Sequence, residues 1–320
     1  MAFFDLPLSE LETYRPSANE PADFDLFWSQ TLAEHPFDSS TLTFTPAAPY
    51  LRSVAAYDVT FRGFGGQPIH AWYLQPVGGP EPWATVVDFP GYGGGRDLPG
   101  EHLEWVAAGY NYLRVDVRGQ GGNWGSGGST DDPGPAGRGH PGFMTRGIES
   151  PETYFYRRAF VDAHHAIEAA ACLPGAGRIV AAGGSQGGAL TIAATALNPR
   201  VWAALPDVPF LSCFPRAVGL TNAFPYQEIV EYLSVNRDLV EQTFATLAYF
   251  DTVNLGARAT APALFSVGLM DEVTPPSTVF AAKNSYGGPA EIKVYPFNGH
   301  EGGGGHQVRA QMEWLAERRG

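Results

Sequence analysis

The residues best suited to chemistry lie around Ser185, in the Gly-Gly-Ser-Gln-Gly run at 183–187. An apolar, strand-like segment precedes this run, and an alanine-rich, helix-like segment follows it. In a Gly-x-Ser-x-Gly pattern between a strand and a helix, the glycines allow a sharp turn in which larger side chains would collide. The turn holds the serine in a strained conformation with its hydroxyl exposed. The pattern predicts a nucleophilic serine, and the alternative is a tight turn with an incidental serine.

A serine hydroxyl reacts only if a base lies within hydrogen-bond reach and an acid orients that base. In enzymes with this serine turn, the acid and then the histidine follow the serine along the chain. Asp271 is the candidate acid because it follows the apolar strand 263–267, and a capping role is its alternative. The adjacent Glu272 is expected to point to solvent. His300 follows the last predicted strand and is the candidate base, with His306, at the start of the final helix, as its rival.

Attack on an acyl carbon places negative charge on the carbonyl oxygen, which requires two preorganised donors. The backbone N–H of Gln186, directly after the serine, is one candidate donor. The glycine-rich loop 91–94 follows an early strand, and we expect the Tyr92 backbone N–H to be the other. The alternative for this loop is a glycine-rich turn with no catalytic role. The predicted reaction passes through an acyl-enzyme on Ser185, which His300 and water then resolve.

The sequence predicts neither a metal site nor a cofactor. His300-Glu301 is not the start of a His-Glu-x-x-His zinc motif, because residue 304 is glycine. His164 and His165 are adjacent on a predicted helix and therefore point in different directions. The other histidines have no cluster of ligands near them in sequence. They are His35, His70, His102 and His140.

The remaining sequence alternates between short apolar strands and helical segments, which predicts a mostly parallel sheet with helices on both faces. Together with the serine turn, this order predicts an α/β-hydrolase fold in a single domain, 1–320. Strands are predicted at 54–61, 69–75, 84–89, 110–117, 178–183, 201–208, 263–267 and 291–295. Helices are predicted at 98–108, 153–172, 186–197, 277–283 and 307–319.

Three segments stand outside this alternation. Residues 1–50 form an N-terminal extension, in which an aromatic helix at 21–34 is expected to pack on the main domain. Residues 118–150 form a long loop, and loops of this length in a compact domain are usually functional. Residues 209–255 are predicted to be a helical cap over the carboxyl edge of the sheet, with helices at 227–233 and 237–249.

The bulk composition restricts the partners and the compartment. The chain has 320 residues and a formal net charge of −13, which disfavours nucleic acid and anionic membranes as partners. The first residues lack the pattern of a signal peptide, and no apolar stretch approaches the ~20 residues of a membrane span, so we expect a cytoplasmic protein. The two cysteines, Cys172 and Cys213, are expected to be buried and unpaired.

Several motifs together resemble the acetyl xylan esterase and cephalosporin C deacetylase family, carbohydrate esterase family 7. The likeness extends over nearly the whole chain, although 127–139 has diverged and 214–250 contains no motif that can be aligned. The stretches that carry it are Arg118-Gly119-Gln120-Gly121, Gly183 to Gly188, Asp271, His300-Glu301, Gly142 to Ile148, Tyr154 to Arg158 and Asp207 to Leu211.

This resemblance implies a deacetylase of small acetylated carbohydrates and of cephalosporin C. It implies the triad Ser185, Asp271 and His300, and it implies a cytoplasmic homo-oligomer, a hexamer with its active sites facing an internal cavity. The oxyanion donors implied by the family are Tyr92 and Gln186, while Arg118 and Gln120 are expected to brace the active-site loops. The alternatives are a serine peptidase or amidase on the same scaffold and a non-catalytic binding protein with this fold.

Overall fold

The computed structural model describes residues 3–17, 19–134 and 142–319, and its centre is a nine-stranded sheet. The strand order is β1-β2-β3-β5-β4-β6-β7-β8-β9. The pairs β1–β2, β2–β3 and β3–β5 are antiparallel, and the other neighbours are parallel. The strands are β1 Thr43–Ala47, β2 Val54–Arg62, β3 Pro68–Pro76, β4 Ala84–Phe89, β5 Asn111–Val115, β6 Arg178–Gly184, β7 Val201–Asp207, β8 Ala263–Gly268 and β9 Ala290–Tyr295.

Most predicted helices are present, but the one expected at 98–108 is reduced to a single turn. Pro99 and Gly100 both disfavour a helix interior, and the helical conformation begins only at Glu104. The helices are α1 Leu8–Leu11, α2 Phe24–Glu34, α3 Glu104–Ala107, α4 Phe155–Cys172, α5 Gln186–Leu197, α6 Phe214–Leu220, α7 Tyr226–Val235, α8 Val240–Ala248, α9 Thr252–Gly256, α10 Pro276–Ser285 and α11 Gly304–Glu317. None of those in the described residues is long and apolar enough to cross a bilayer.

Successive residues of the central strands belong to different cores, because side chains alternate between the two faces of a sheet. Val87 of β4 packs in the core that α4 and α5 cover. Val86 packs on the other face, with Trp105 of α3 and Trp314 of α11. Both faces are therefore covered, which confirms the predicted mixed architecture with helices on both sides.

The N-terminal region is attached to the main domain in two ways. Phe27 of α2 packs against Tyr249 and Phe250, and the Trp28 indole N–H donates to the Tyr249 carbonyl oxygen at 3.1 Å. This confirms the packing expected for the aromatic helix. The region also contributes β1, an edge strand that was not predicted; Pro46 is tolerated there because an edge strand has one unpaired side.

The segment 209–255 contains four helices, α6 to α9, rather than the two predicted. The predicted helix at 237–249 is a 3₁₀ turn, Arg237–Leu239, followed by α8. Apolar side chains of this segment, including Phe210 and Leu247, are part of the main core. Its designation as a cap stays a prediction.

The two cysteines differ in exposure. Cys213 is buried as expected, but Cys172 is exposed, so that prediction was wrong. Cys172 is the last residue of α4, and it is exposed although the next residue, Leu173, is buried in the main core. The diverged segment 127–139 is described only as far as residue 134; the rest of it and His140 lie outside the described residues.

Candidate active site

The turn at Ser185 joins β6 to α5 and has the predicted strained geometry. Ser185 adopts φ +58° and ψ −119°, a conformation that is rare for a non-glycine residue. A Cβ at Gly187 would overlap the carbonyl oxygen of Phe89, and one at Gly183 would lie 2.6 Å from the carbonyl carbon of Gly187. The motif glycines are therefore required by close backbone contacts, which fix the serine at the carboxyl edge of the sheet.

Asp271 and His300 are in direct contact, although 29 residues separate them. The Oδ2 atom of Asp271 lies 2.9 Å from Nδ1 of His300 and accepts the Thr274 hydroxyl at 2.7 Å. Its Oδ1 atom accepts the backbone N–H groups of Val273 and Thr274. Asp271 is buried, so these donors replace water around its carboxylate and fix its orientation. Asp271 therefore fills both of its proposed roles. Its Oδ1 atom caps the turn that follows it, and its Oδ2 atom contacts His300.

Both rival residues lie where the sequence predicted. Glu272 is exposed, as expected. His306 is also exposed and lies in the first turn of α11, Gly304–Glu317. His300 is the histidine that contacts Asp271, and it remains one-third exposed toward the cavity described next.

Ser185 and His300 line the same cavity, which has a volume of about 830 Å³. Tyr92 of the loop after β4, Trp124 of the long loop and Glu228 of α7 also line it. The cavity opens at the carboxyl edge of the parallel strands, where ligands bind in open α/β sheets. The structure therefore brings the predicted nucleophile and base to a space that admits a small molecule.

The backbone N–H groups of Tyr92 and Gln186, the two predicted oxyanion donors, make no hydrogen bond to a protein acceptor among the described residues. The neighbouring groups are fixed: the Tyr92 carbonyl oxygen accepts the Trp124 indole N–H at 2.7 Å, and the Gly93 N–H donates to Oε1 of Gln120 at 2.8 Å. Unpaired donors held between fixed neighbours are what an oxyanion hole requires.

Gln120 contacts both segments that supply the two predicted donors, the loop after β4 and the serine turn. Its side-chain amide makes a reciprocal pair with the Gln186 amide, with both N–H···O distances at 2.9 Å, while its oxygen also accepts the Gly93 N–H. The Tyr156 hydroxyl donates to the Gln186 oxygen at 2.9 Å. Gln120 therefore holds the loop after β4 against the serine turn.

Arg118 lies farther from the cavity than Gln120 does and contacts other residues. It is 2 % exposed and makes a bidentate ion pair with Asp162 of α4, at 2.5 and 2.7 Å. Its second partner is Asp132, which also pairs with Arg158. Burial alone would lower the pKa of the Arg118 guanidinium, but the two carboxylates together outweigh burial and raise that pKa above its usual value. Arg118 thus ties the long loop to α4 and does not line the cavity.

Replacing Gln120 with alanine should lower kcat by about 10- to 100-fold, because the two oxyanion donors lose their common support. It should also lower the free energy of unfolding by about 1–3 kcal/mol, since the Gly93 N–H and the Gln186 amide lose a buried partner. Steady-state kinetics and urea unfolding measure both effects. Gln30→Ala, at an exposed glutamine of α2, is the control and should change neither; an unchanged kcat in Gln120→Ala would contradict the bracing role.

Asp207 connects the serine turn to α11. In the sequence it was noted only as the first residue of Asp207 to Leu211, one of the stretches that carry the family resemblance. Its carbonyl oxygen accepts the Ser185 N–H at 2.9 Å. Its carboxylate accepts the side-chain amides of Gln307 and Gln311 of α11, both at 2.8 Å. Burial raises the pKa of this carboxyl to about 7. Asp207 therefore fixes the serine turn relative to the helix that follows His300.

Trp124 and Glu228 line the cavity but were not predicted as site residues. Trp124 follows the Arg-Gly-Gln-Gly motif within a glycine-rich loop, and a large aromatic residue in such a loop is a signal that could have been used. Glu228 lies within an ordinary helical stretch, Tyr226–Val235, so nothing in the local sequence distinguished it. Its place in the cavity depends on how α7 packs.

The sheet order, the strained serine turn and the Asp271–His300 contact define an α/β-hydrolase. The model of the acetyl xylan esterase (AXE1) family matches residues 1–318, and this chain belongs to that family. The family resemblance and the fold predicted from the sequence are thereby confirmed.

Solved structures of similar proteins cover nearly the whole chain. An acetyl xylan esterase from Paenibacillus sp. R4 is 36% identical, with a TM-score of 0.89, and the match covers 98% of this chain and 99% of that one. Acetyl xylan esterase 1 from Thermoanaerobacterium sp. JW/SL YS485 is 33% identical with a TM-score of 0.88, over 98% and 99% of the two chains.

A curated relative is similar over a shorter region. Acetyl esterase Axe7A of Xylanibacter ruminicola is 29% identical over 162 residues, which are 50% of this chain and 36% of that protein. The match thus spans about a third of the length of that relative.

Proposed function

We propose that this protein is a serine carboxylesterase that removes acetyl groups from carbohydrates or from related small esters such as cephalosporin C. The observation that carries the proposal is the Asp271–His300 contact beside Ser185 in a shared cavity. Membership of the acetyl xylan esterase family supports the acetyl and carbohydrate part. We extend the proposal to a homo-oligomer, on the family resemblance alone.

Each residue has a defined part in the proposed reaction. His300 removes the proton from Ser185 as the serine oxygen attacks the acetyl carbon, and Asp271 holds the imidazole in the tautomer that accepts this proton. The N–H groups of Tyr92 and Gln186 stabilise the oxyanion. His300 then protonates the departing sugar oxygen, which leaves an acetyl-enzyme. Water, deprotonated by His300, releases acetate and restores the serine.

A substrate panel tests this function. We expect hydrolysis of p-nitrophenyl acetate with kcat/KM at least about 10-fold above that of the octanoate ester, because extra methylenes that a small acyl site cannot accept each cost activity. Acetylated xylo-oligosaccharides and cephalosporin C should release acetate, measured by an enzyme-coupled acetate assay. A preference for octanoate would contradict the acetyl assignment, and cleavage of peptide or anilide substrates with no ester cleavage would favour the amidase alternative.

A further inference from the structure

Glu228 is a buried carboxylate at the cavity, and α7 carries it there from the segment 209–255. It is 4% exposed. Its Oε1 atom accepts the Tyr92 hydroxyl at 2.7 Å, and its Oε2 atom accepts the Met144 N–H at 3.0 Å. Both oxygens are thus engaged by the two loops that border the cavity, the one after β4 and the one before α4.

The partner of Glu228 is the residue whose backbone N–H is the proposed oxyanion donor. The peptide groups around this N–H are fixed by Trp124, on the Tyr92 carbonyl oxygen, and by Gln120, on the Gly93 N–H. Those two contacts hold the backbone around Tyr92, and Glu228 holds the Tyr92 side chain through its hydroxyl. The phenol also accepts the Phe143 N–H at 2.5 Å. Burial and the negative charge of Glu228 raise the pKa of Tyr92 well above its usual value, so the hydroxyl stays protonated and donates.

We propose that Glu228 is a positioning residue of the oxyanion hole: by holding the Tyr92 side chain from helix α7, it fixes the direction of the Tyr92 backbone N–H. This inference rests on the proposed esterase function and deepens it. It gives the segment 209–255 a part in the acyl-transfer step, because the carboxylate that orients the donor belongs to that segment.

The contacts require a carboxylate and not merely a side chain of this size. Each of its two oxygens accepts a hydrogen bond from a donor that cannot be reversed, a phenol held by Phe143 and a backbone N–H. A glutamine offers one acceptor oxygen, and its NH₂ group would face the other donor. The chain also leaves space for the carboxylate: a Cβ at Gly142 would overlap it.

Steady-state kinetics with p-nitrophenyl acetate test the role of Glu228, using wild type, Glu228→Gln, Tyr92→Phe and the double variant. Each single variant should lower kcat about 10- to 100-fold with KM changed by less than about 3-fold, because oxyanion bonds strengthen only in the transition state. The double variant should be slower than the slower of the two single variants by no more than about 3-fold, because both substitutions disturb the same contact between the Tyr92 side chain and Glu228. Glu241→Gln, an exposed carboxylate on α8, is the matched control and should retain full activity.

A second measurement separates positioning from a structural role. Binding of a boronic acid, which forms a tetrahedral adduct with the serine, should weaken in proportion to the loss of kcat. Three results would overturn the inference: an unchanged kcat in both single variants, a change in KM alone, or losses of kcat that multiply in the double variant. In each of these cases, an active wild type would leave the proposed function intact. If Glu228→Gln does not fold, Tyr92→Phe alone decides the outcome. An inactive wild type would overturn the proposed function and this inference together.

Discussion

Replacing Ser185 with alanine should reduce kcat for p-nitrophenyl acetate by about 10⁴- to 10⁶-fold, the loss seen when a nucleophile of this kind is removed. The physical reason is that no other hydroxyl occupies the strained turn at the end of β6, so no acyl-enzyme forms. Rapid mixing of excess substrate with wild type should show a burst of p-nitrophenol if deacylation is slower than acylation, and the variant should show no burst.

The same variant should remain folded. Alanine at 185 removes one oxygen atom. Two backbone hydrogen bonds hold the turn: the Ser185 N–H donates to the Asp207 carbonyl oxygen, and the Phe210 N–H donates to the Ser185 carbonyl oxygen. Neither bond involves the Ser185 side chain. Circular dichroism and thermal unfolding provide the control. Hydrolysis that survives the substitution in a folded protein would exclude Ser185 as the nucleophile.

Substitution of the two candidate histidines should give opposite results. His300→Ala should lower kcat by about 10⁴- to 10⁶-fold, because the serine then has no base to accept its proton. His306→Ala should change kcat by less than about 3-fold, since this residue is exposed on the first turn of α11 and is not the histidine that contacts Asp271. The pair is well matched because both residues are exposed enough to be replaced without creating a cavity.

Kinetics on both variants, with circular dichroism to verify folding, decide between the histidines. Loss of turnover in the His306 variant alone would show that the base has been assigned to the wrong residue. Equal, partial losses in both would indicate that the loop before α11, rather than one imidazole, is what the reaction needs.

Local features of the chain could be predicted from sequence because they are enforced by short-range sterics. The serine turn needs glycines at 183 and 187, and close backbone contacts at those positions explain why. The alternation of strands and helices follows from apolar periodicity, and it gave all of the parallel strands. The helix expected at 98–108 is absent before Glu104 for a local reason too, since Pro99 and Gly100 disfavour a helix interior more strongly than the apolar pattern favours one.

Site residues outside the recognised motifs were harder to predict from the sequence. Gln120 could be assigned a bracing role only through the family resemblance, while its reciprocal amide pair with Gln186 is visible only in the folded protein. Asp207 and Trp124 likewise acquire their places from the packing of α11 and of the long loop. The exposure of Cys172 also depends on where α4 ends relative to the core.

The sequence by itself determined the serine turn, the order of the acid and the histidine after it, and the sheet that presents them, because each depends on neighbouring residues and chain order. Only the tertiary structure decided that Asp271 contacts His300 and that Glu228 reaches Tyr92, 136 residues away. Such contacts depend on how whole helices and strands pack against one another. No local preference of a glutamate in α7 specifies that its carboxylate will meet a tyrosine in the loop after β4.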